Sequence, residues 1–178
     1  MLERLKTAIT KPSQMFMYKD DSIGKSILYM FFVGFLFSII LVGTFFAAGS
    51  LILKSYDADI VDMGFIILMT LFFGGSIGIP ISLFFGSLFW TAIIFIFSAN
   101  PNKTFERFFK VTTYILGAAV VLMGIIIFVF CFILFLFAGT GSAEAAIVLI
   151  LMISPVFFGL NIWQIYALVV AYRNANNY

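Results

Sequence analysis

The 178-residue sequence contains no histidine and a single cysteine, Cys131. No intrachain disulfide and no His/Cys metal site can therefore form. A Ser-His-Asp or Cys-His catalytic arrangement is excluded for the same reason. Charge is also scarce. Asp, Glu, Lys and Arg make up 10% of the residues, against about 25% in soluble domains. What fills the chain is apolar: 63% of the residues are hydrophobic, and Phe alone occupies 25 positions. A soluble domain of this size buries only about two-thirds of its surface, so water cannot solvate the remainder. The composition excludes a soluble globular protein, a disordered chain and a nucleic-acid binder. It leaves an integral membrane protein whose first partner is the lipid bilayer, and it calls for no cofactor.

The few charges mark out the spans. Residues 1–26 hold eight of the eighteen, and none falls between Ile27 and Leu53. That run corresponds to about 40 Å of helix, enough to cross a hydrocarbon core of about 30 Å with tilt. After the polar stretch Lys54 to Asp59 and Asp62, the chain is uncharged from Met63 to Ser98. Further uncharged runs cover Val111 to Ser142 and Ala145 to Tyr172, the last with Pro155 inside. Consecutive apolar residues such as Ile125 to Phe130 rule out β-barrel alternation. The fold class is therefore all-α, a polytopic transmembrane helical bundle.

The second run admits two readings. Ile60 to Ser98 would be about 58 Å as one helix, and it contains the breaker-rich Gly74-Gly75-Ser76-Ile77-Gly78-Ile79-Pro80. It is either a hairpin of two spans or a broken, re-entrant helix over 60–75 followed by a span over 79–98. Charge bias arbitrates. Five Lys/Arg lie in the N-terminal segment, three (Lys103, Arg107, Lys110) in the loop before the third span, and Arg173 in the tail. The positive-inside rule puts all of these in the cytoplasm. That demands an odd number of crossings between Asp59 and Ala99 and favours four crossings in total. The expected organisation is a cytoplasmic, interfacial amphipathic segment over 1–26 and a single transmembrane domain over 27–178. Its spans would cover about 27–53, 79–98, 111–138 and 145–172.

The N-terminus does not read as a cleavable signal, since its apolar run starts only at residue 27. Leu2, Leu5, Ala8 and Ile9 recur at helical spacing beside Arg4, Lys6 and Lys11, as in a basic helix lying on an anionic leaflet. Pro12 ends that pattern, and Ser13 would cap a second short helix carrying Met15, Phe16 and Met17.

Lys11-Pro12-Ser13-Gln14-Met15-Phe16 ahead of a span resembles the start of a Yip-type domain. So do Phe89-Trp90 and the stretch Asn102 to Tyr114 with its basic residues and final Tyr, and so does Asn161-Ile162-Trp163-Gln164-Ile165-Tyr166. The resemblance covers roughly residues 10–175. Asn100-Pro101-Asn102 stands where a Gly pair is usual. The family commonly has a fifth span, which is not found after the one bearing Trp163; this agrees with four crossings and a cytoplasmic C-terminus. The short N-terminal arm is similar to that of prokaryotic members, which places the protein in a prokaryotic cell membrane. Eukaryotic members are associated with Rab-type GTPases and vesicle traffic. The resemblance implies membrane organisation or partner recruitment, not catalysis.

Several residues stand out as contact candidates. Lys103, Arg107 and Lys110, interleaved with Phe105 and Phe108, form a basic-aromatic face suited to headgroups or a cytoplasmic protein. Plain interfacial anchoring is the simpler reading. Asn161 and Gln164 share a helix face as an intramembrane polar pair, lining a cavity or gluing helices together. Gly74/Gly78 and Gly43/Ala47 have small-xxx-small spacing, which serves a homo-oligomer or packing within the bundle. Asp57, Asp59 and Asp62 lack the rest of a calcium loop and read as a solvated outer loop. Cys131 reads as an inert small hydrophobe. The leading expectation is a non-enzymatic scaffold or adaptor. The alternative is a small-solute transporter or transport-accessory subunit using the broken Gly74–Pro80 helix.

Overall fold

Lipid offers no hydrogen-bond partners, so a chain that crosses it must satisfy its backbone internally. The computed structural model describes residues 1–52, 58–98, 104–138 and 143–173, and these are helical with no strand among them. The order is α1 (Leu2–Thr10), a 3-10 helix (Pro12–Tyr18), α2 (Ile23–Ile52), α3 (Ala58–Phe97), α4 (Phe105–Ala138) and α5 (Ala143–Arg173). Four stretches are long and apolar enough to cross a membrane: Ile23–Thr44, Leu68–Phe97, Phe105–Ile133 and Ser154–Arg173.

Local chemistry sets the boundaries near the N-terminus. Pro12 cannot donate to a preceding turn and disfavours helical geometry at Lys11, so α1 stops and the chain re-enters as a 3-10 helix. Lys11, not Ser13, occupies the cap position, with no side-chain cap bond. Pro is well placed as the first helical residue because its missing N–H would be unpaired there anyway. Ser22 opens α2, its Oγ accepting from the Lys25 backbone N–H at 3.3 Å.

α4 is the centre of the bundle. α2, α3 and α5 pack around it, and α1 and the 3-10 helix cover its first turns. Val111, Tyr114, Ile115 and Ala118 are consequently fully buried. The outer surface is apolar as well. Phe31, Phe35 and Ile39 on α2, Phe73, Ile77 and Ile81 on α3, and Phe158, Ile162 and Val169 on α5 are exposed at helical spacing. A helix apolar on every face is the mark of a lipid-solvated bundle.

The break expected in the second run does not occur. α3 is continuous from Ala58 to Phe97, through Gly74, Gly75, Gly78 and Pro80. There is no separate re-entrant helix over 60–75, and the span extends well before residue 79. The physical reason is the solvent. Proline inside a helix costs about 3 kcal/mol, but opening the helix would strand several backbone groups in hydrocarbon at several kcal/mol each. Close packing compensates further. Gly34 of α2 lies against the Pro80 ring, where an added Cβ would come within 2.7 Å of Cδ and 3.3 Å of the Ser76 carbonyl oxygen. Gly75 in turn faces Ser38, whose Oγ would lie 2.5 Å from an added Cβ. The Ser76 hydroxyl donates to Ser38 Oγ at 3.1 Å, and Ser38 donates to the Gly34 carbonyl at 2.8 Å. The close α2–α3 approach thus runs through Gly34 and Gly75. Gly43, Gly74 and Gly78, expected to mediate such contacts, have no other atom within 4 Å of an added Cβ.

α5 likewise runs unbroken through Pro155. Asp57, Asn100 to Asn102, Lys103 and the 139–142 turn lie outside the described residues, and of Ala47, Asp59 and Asp62 only the helical backbone is described.

Candidate functional site

Among the described residues, the densest polar chemistry lies at the end of the bundle that carries the N-terminus, and its centre is Asp21. This carboxylate sits between the 3-10 helix and α2, with its side chain 11% exposed. Arg4 of α1 grips it through both oxygens, Nε to Oδ2 at 2.7 Å and a terminal nitrogen to Oδ1 at 3.0 Å. Lys25 Nζ donates to Oδ1 at 3.1 Å, and the Tyr114 hydroxyl of α4 donates to Oδ2 at 3.0 Å. Lys110 Nζ donates to the Asp21 backbone carbonyl at 2.6 Å and to Glu106 at 3.0 Å. Burial alone would raise the Asp21 carboxyl, but the hydrogen bonds from Arg4, Lys25 and Tyr114 outweigh it and hold the group at about 2. The same bond to Asp21 pushes the Arg4 guanidinium above its ordinary value. A bidentate Arg–carboxylate pair is the strong, geometrically specific form of ion pairing.

Aromatic rings frame this centre. The Arg4 guanidinium lies 5.2 Å from the Tyr18 ring centroid and 5.8 Å from that of Tyr114, within cation–π range. Tyr29 of α2 packs edge-on to Tyr114 at 4.9 Å and donates to the Tyr114 carbonyl at 3.0 Å. Gly117, one turn along α4, makes room for it: an added Cβ would meet the Tyr29 ring at 2.5 Å. A second cluster closes the other side. Phe16 packs on Phe108 and Tyr172 with centroids 5.7 and 5.6 Å away. The Tyr172 hydroxyl bonds to Thr112 Oγ1 and donates to the Phe108 carbonyl. The first twenty-one residues are therefore a docked arm, with Leu5, Ala8, Met15 and Phe16 in the core.

The residues singled out from the sequence are distributed differently than expected. Phe108, 1% exposed, and Lys110, 3% exposed, face inward and hold the arm, so they offer no surface to a partner. Arg107 remains on the surface, paired with Asp20 at 3.3 Å, and Phe105 is exposed beside it. Asn161 and Gln164 do not act as a pair. Asn161 is exposed and donates to the Phe157 carbonyl of its own helix at 2.8 Å, whereas Gln164 lines a groove with Trp90 and Gly86. Cys131 is partly buried on α4. Sequence reasoning missed Asp21, Tyr29 and Tyr172, and it noted Tyr114 only within the family resemblance. Their spacing carries no signal, since Asp21 and Tyr114 are 93 residues apart.

Eight cations are described, Arg4, Lys6, Lys11, Lys19, Lys25, Arg107, Lys110 and Arg173, and all belong to this end of the bundle. Among the described residues no three His, Cys, Asp or Glu side chains come together as metal ligands. The arrangement can hold an arm rigidly and present charge at a membrane surface. A family model for the Yip1 domain matches residues 6–178, nearly the whole chain. No curated protein and no solved structure matches the chain.

Proposed function

The chain belongs to the Yip1-domain family of integral membrane proteins, and from that premise we propose that it is a non-enzymatic scaffold or adaptor. The platform formed by α1, the 3-10 helix and the start of α4 faces the cytoplasm of a prokaryotic cell and receives a protein with an acidic face. The observation that carries this reading is the split among the cations. Arg4, Lys25, Arg107 and Lys110 are paired with carboxylates within the chain. Lys6 and Lys11 have no such partner among the described residues and are exposed on the docked arm, which also carries exposed Leu2 and Met17. A rigid surface of unpaired cations beside apolar side chains costs little ordering entropy when a partner binds. Charge complementarity would steer that partner.

Orientation follows from the same charges through the positive-inside rule. The transport reading depended on an unwound Gly74–Pro80 segment, and α3 is helical there.

The test uses the full chain in native membranes. A cytoplasmic protein copurifies with the wild type, and the double variant Lys6→Glu/Lys11→Glu loses it by at least about tenfold while keeping its elution profile. Equal recovery with the double variant overturns the adaptor role. In a Cys131→Ser background, an impermeant thiol reagent applied outside modifies Lys54→Cys but not Lys11→Cys; the reverse pattern overturns the orientation.

A further inference from the structure

α3 and α5 both pack on α4, yet they scarcely touch each other. Between them, at the end of the bundle that carries the N-terminus, lies a groove of about 380 Å³ walled by Trp90, Ile94, Phe97, Ile165 and Val169, with Arg173 at its mouth. We propose that this groove is a binding site for one anionic phospholipid, with an acyl chain between α3 and α5 and the headgroup phosphate on Arg173.

The dimensions select the occupant. From Arg173 to Ile165 the wall runs about 12 Å along α5, at 1.5 Å per residue. Over that length the open groove of about 380 Å³ has room for one slender chain along its floor. A polymethylene chain, about 4 Å across by carbon contact distances, fits. A second cavity of about 240 Å³, lined by Gly86 and Leu116, shares Trp90 with this groove.

Charge selects the headgroup. In the sequence Arg173 closes the uncharged run Ala145 to Tyr172 and precedes the polar Asn174-Ala175-Asn176-Asn177, a position at which a basic residue meets lipid phosphates. Its side chain is exposed, and no carboxylate among the described residues pairs with it. Arg binds phosphate through a planar fork of N–H donors. The neighbouring Tyr172 hydroxyl is already engaged with Thr112 and the Phe108 carbonyl, so the ring supplies wall and Arg173 supplies recognition.

The test is native mass spectrometry of the full chain released from nanodiscs made of phosphatidylglycerol and phosphatidylcholine in equal parts. The wild type retains one phosphatidylglycerol in preference to phosphatidylcholine. Arg173→Glu lowers that retention about tenfold, the scale expected when an interfacial cation is replaced by an anion. Val169→Trp, which fills the groove, abolishes it. Ile165→Trp serves in its place should Val169→Trp fail to fold. Arg107→Glu, a charge change at the same end but outside the groove, leaves retention unchanged. The proposal is overturned by a wild type that retains no lipid or shows no headgroup preference, or by equal losses in Arg107→Glu and Arg173→Glu. It is also overturned by a dimer that Val169→Trp dissociates, since a second copy would then fill the groove.

Discussion

Asp21 binds Arg4, Lys25 and Tyr114 at once, from three different elements. Asp21→Asn would leave the Arg4 guanidinium, itself 17% exposed, without its counter-charge. The expected loss is about 2 kcal/mol, below the 3–5 kcal/mol of a fully buried pair because both groups touch solvent. Trypsin cleavage after Arg4 and Lys6 should then accelerate at least about tenfold in detergent. The same carboxylate sets a pH response. Its value is depressed to about 2 in the folded protein, from about 3.9 in an unfolded chain. Its stabilisation is therefore complete above about pH 4 and is lost as pH falls toward 2. The arm should resist trypsin-like cleavage equally across neutral and mildly acidic conditions, and hydrogen exchange in α1 should rise only in strong acid. None of this is legible in the sequence, where Asp21 is one of two adjacent Asp residues between Lys19 and Lys25. Lys110 and Phe108 were legible as special, but not their inward direction, because five elements meet on the first turns of α4 and reverse the expected exposure.

α3 shows which sequence rules carry over to lipid. The span count and the all-α class follow from charge-free runs, because excluding water forces helices. The rule that reads a Gly/Pro cluster as a break is calibrated in water, where a broken turn can be hydrated. In α3 that alternative is absent, and Gly34 and Gly75 admit the neighbouring helix at the very place the break was expected. Gly34→Ala should press on the Pro80 ring, and Gly117→Ala on the buried Tyr29 ring. Each should destabilise by about 1–3 kcal/mol as overpacking does. Gly74→Ala and Gly78→Ala meet no neighbouring atom and should stay within about 0.5 kcal/mol of the wild type. Thermal unfolding in one detergent compares all four. Small-xxx-small spacing in the sequence pointed to the second pair of sites, since spacing reports a shared face but not which face meets a partner helix.

At the scale of the molecule, α4 joins everything else. α5 is attached through α4 and the 3-10 helix, and it packs on no other element to a comparable extent. Phe16, Phe108 and Tyr172 therefore bring residues from near both ends of the chain into one aromatic cluster. Phe16→Ala removes a buried ring and should cost about 3 kcal/mol, with hydrogen exchange rising along the last turns of α5 as well as in the arm. The geometry also constrains biogenesis. The arm emerges from the ribosome before α5, so its seat is unfinished until Tyr172 has been synthesised and α5 inserted. Until then the amphipathic segment must wait on the membrane surface or with a chaperone, and only the insertion of α5 lets it close.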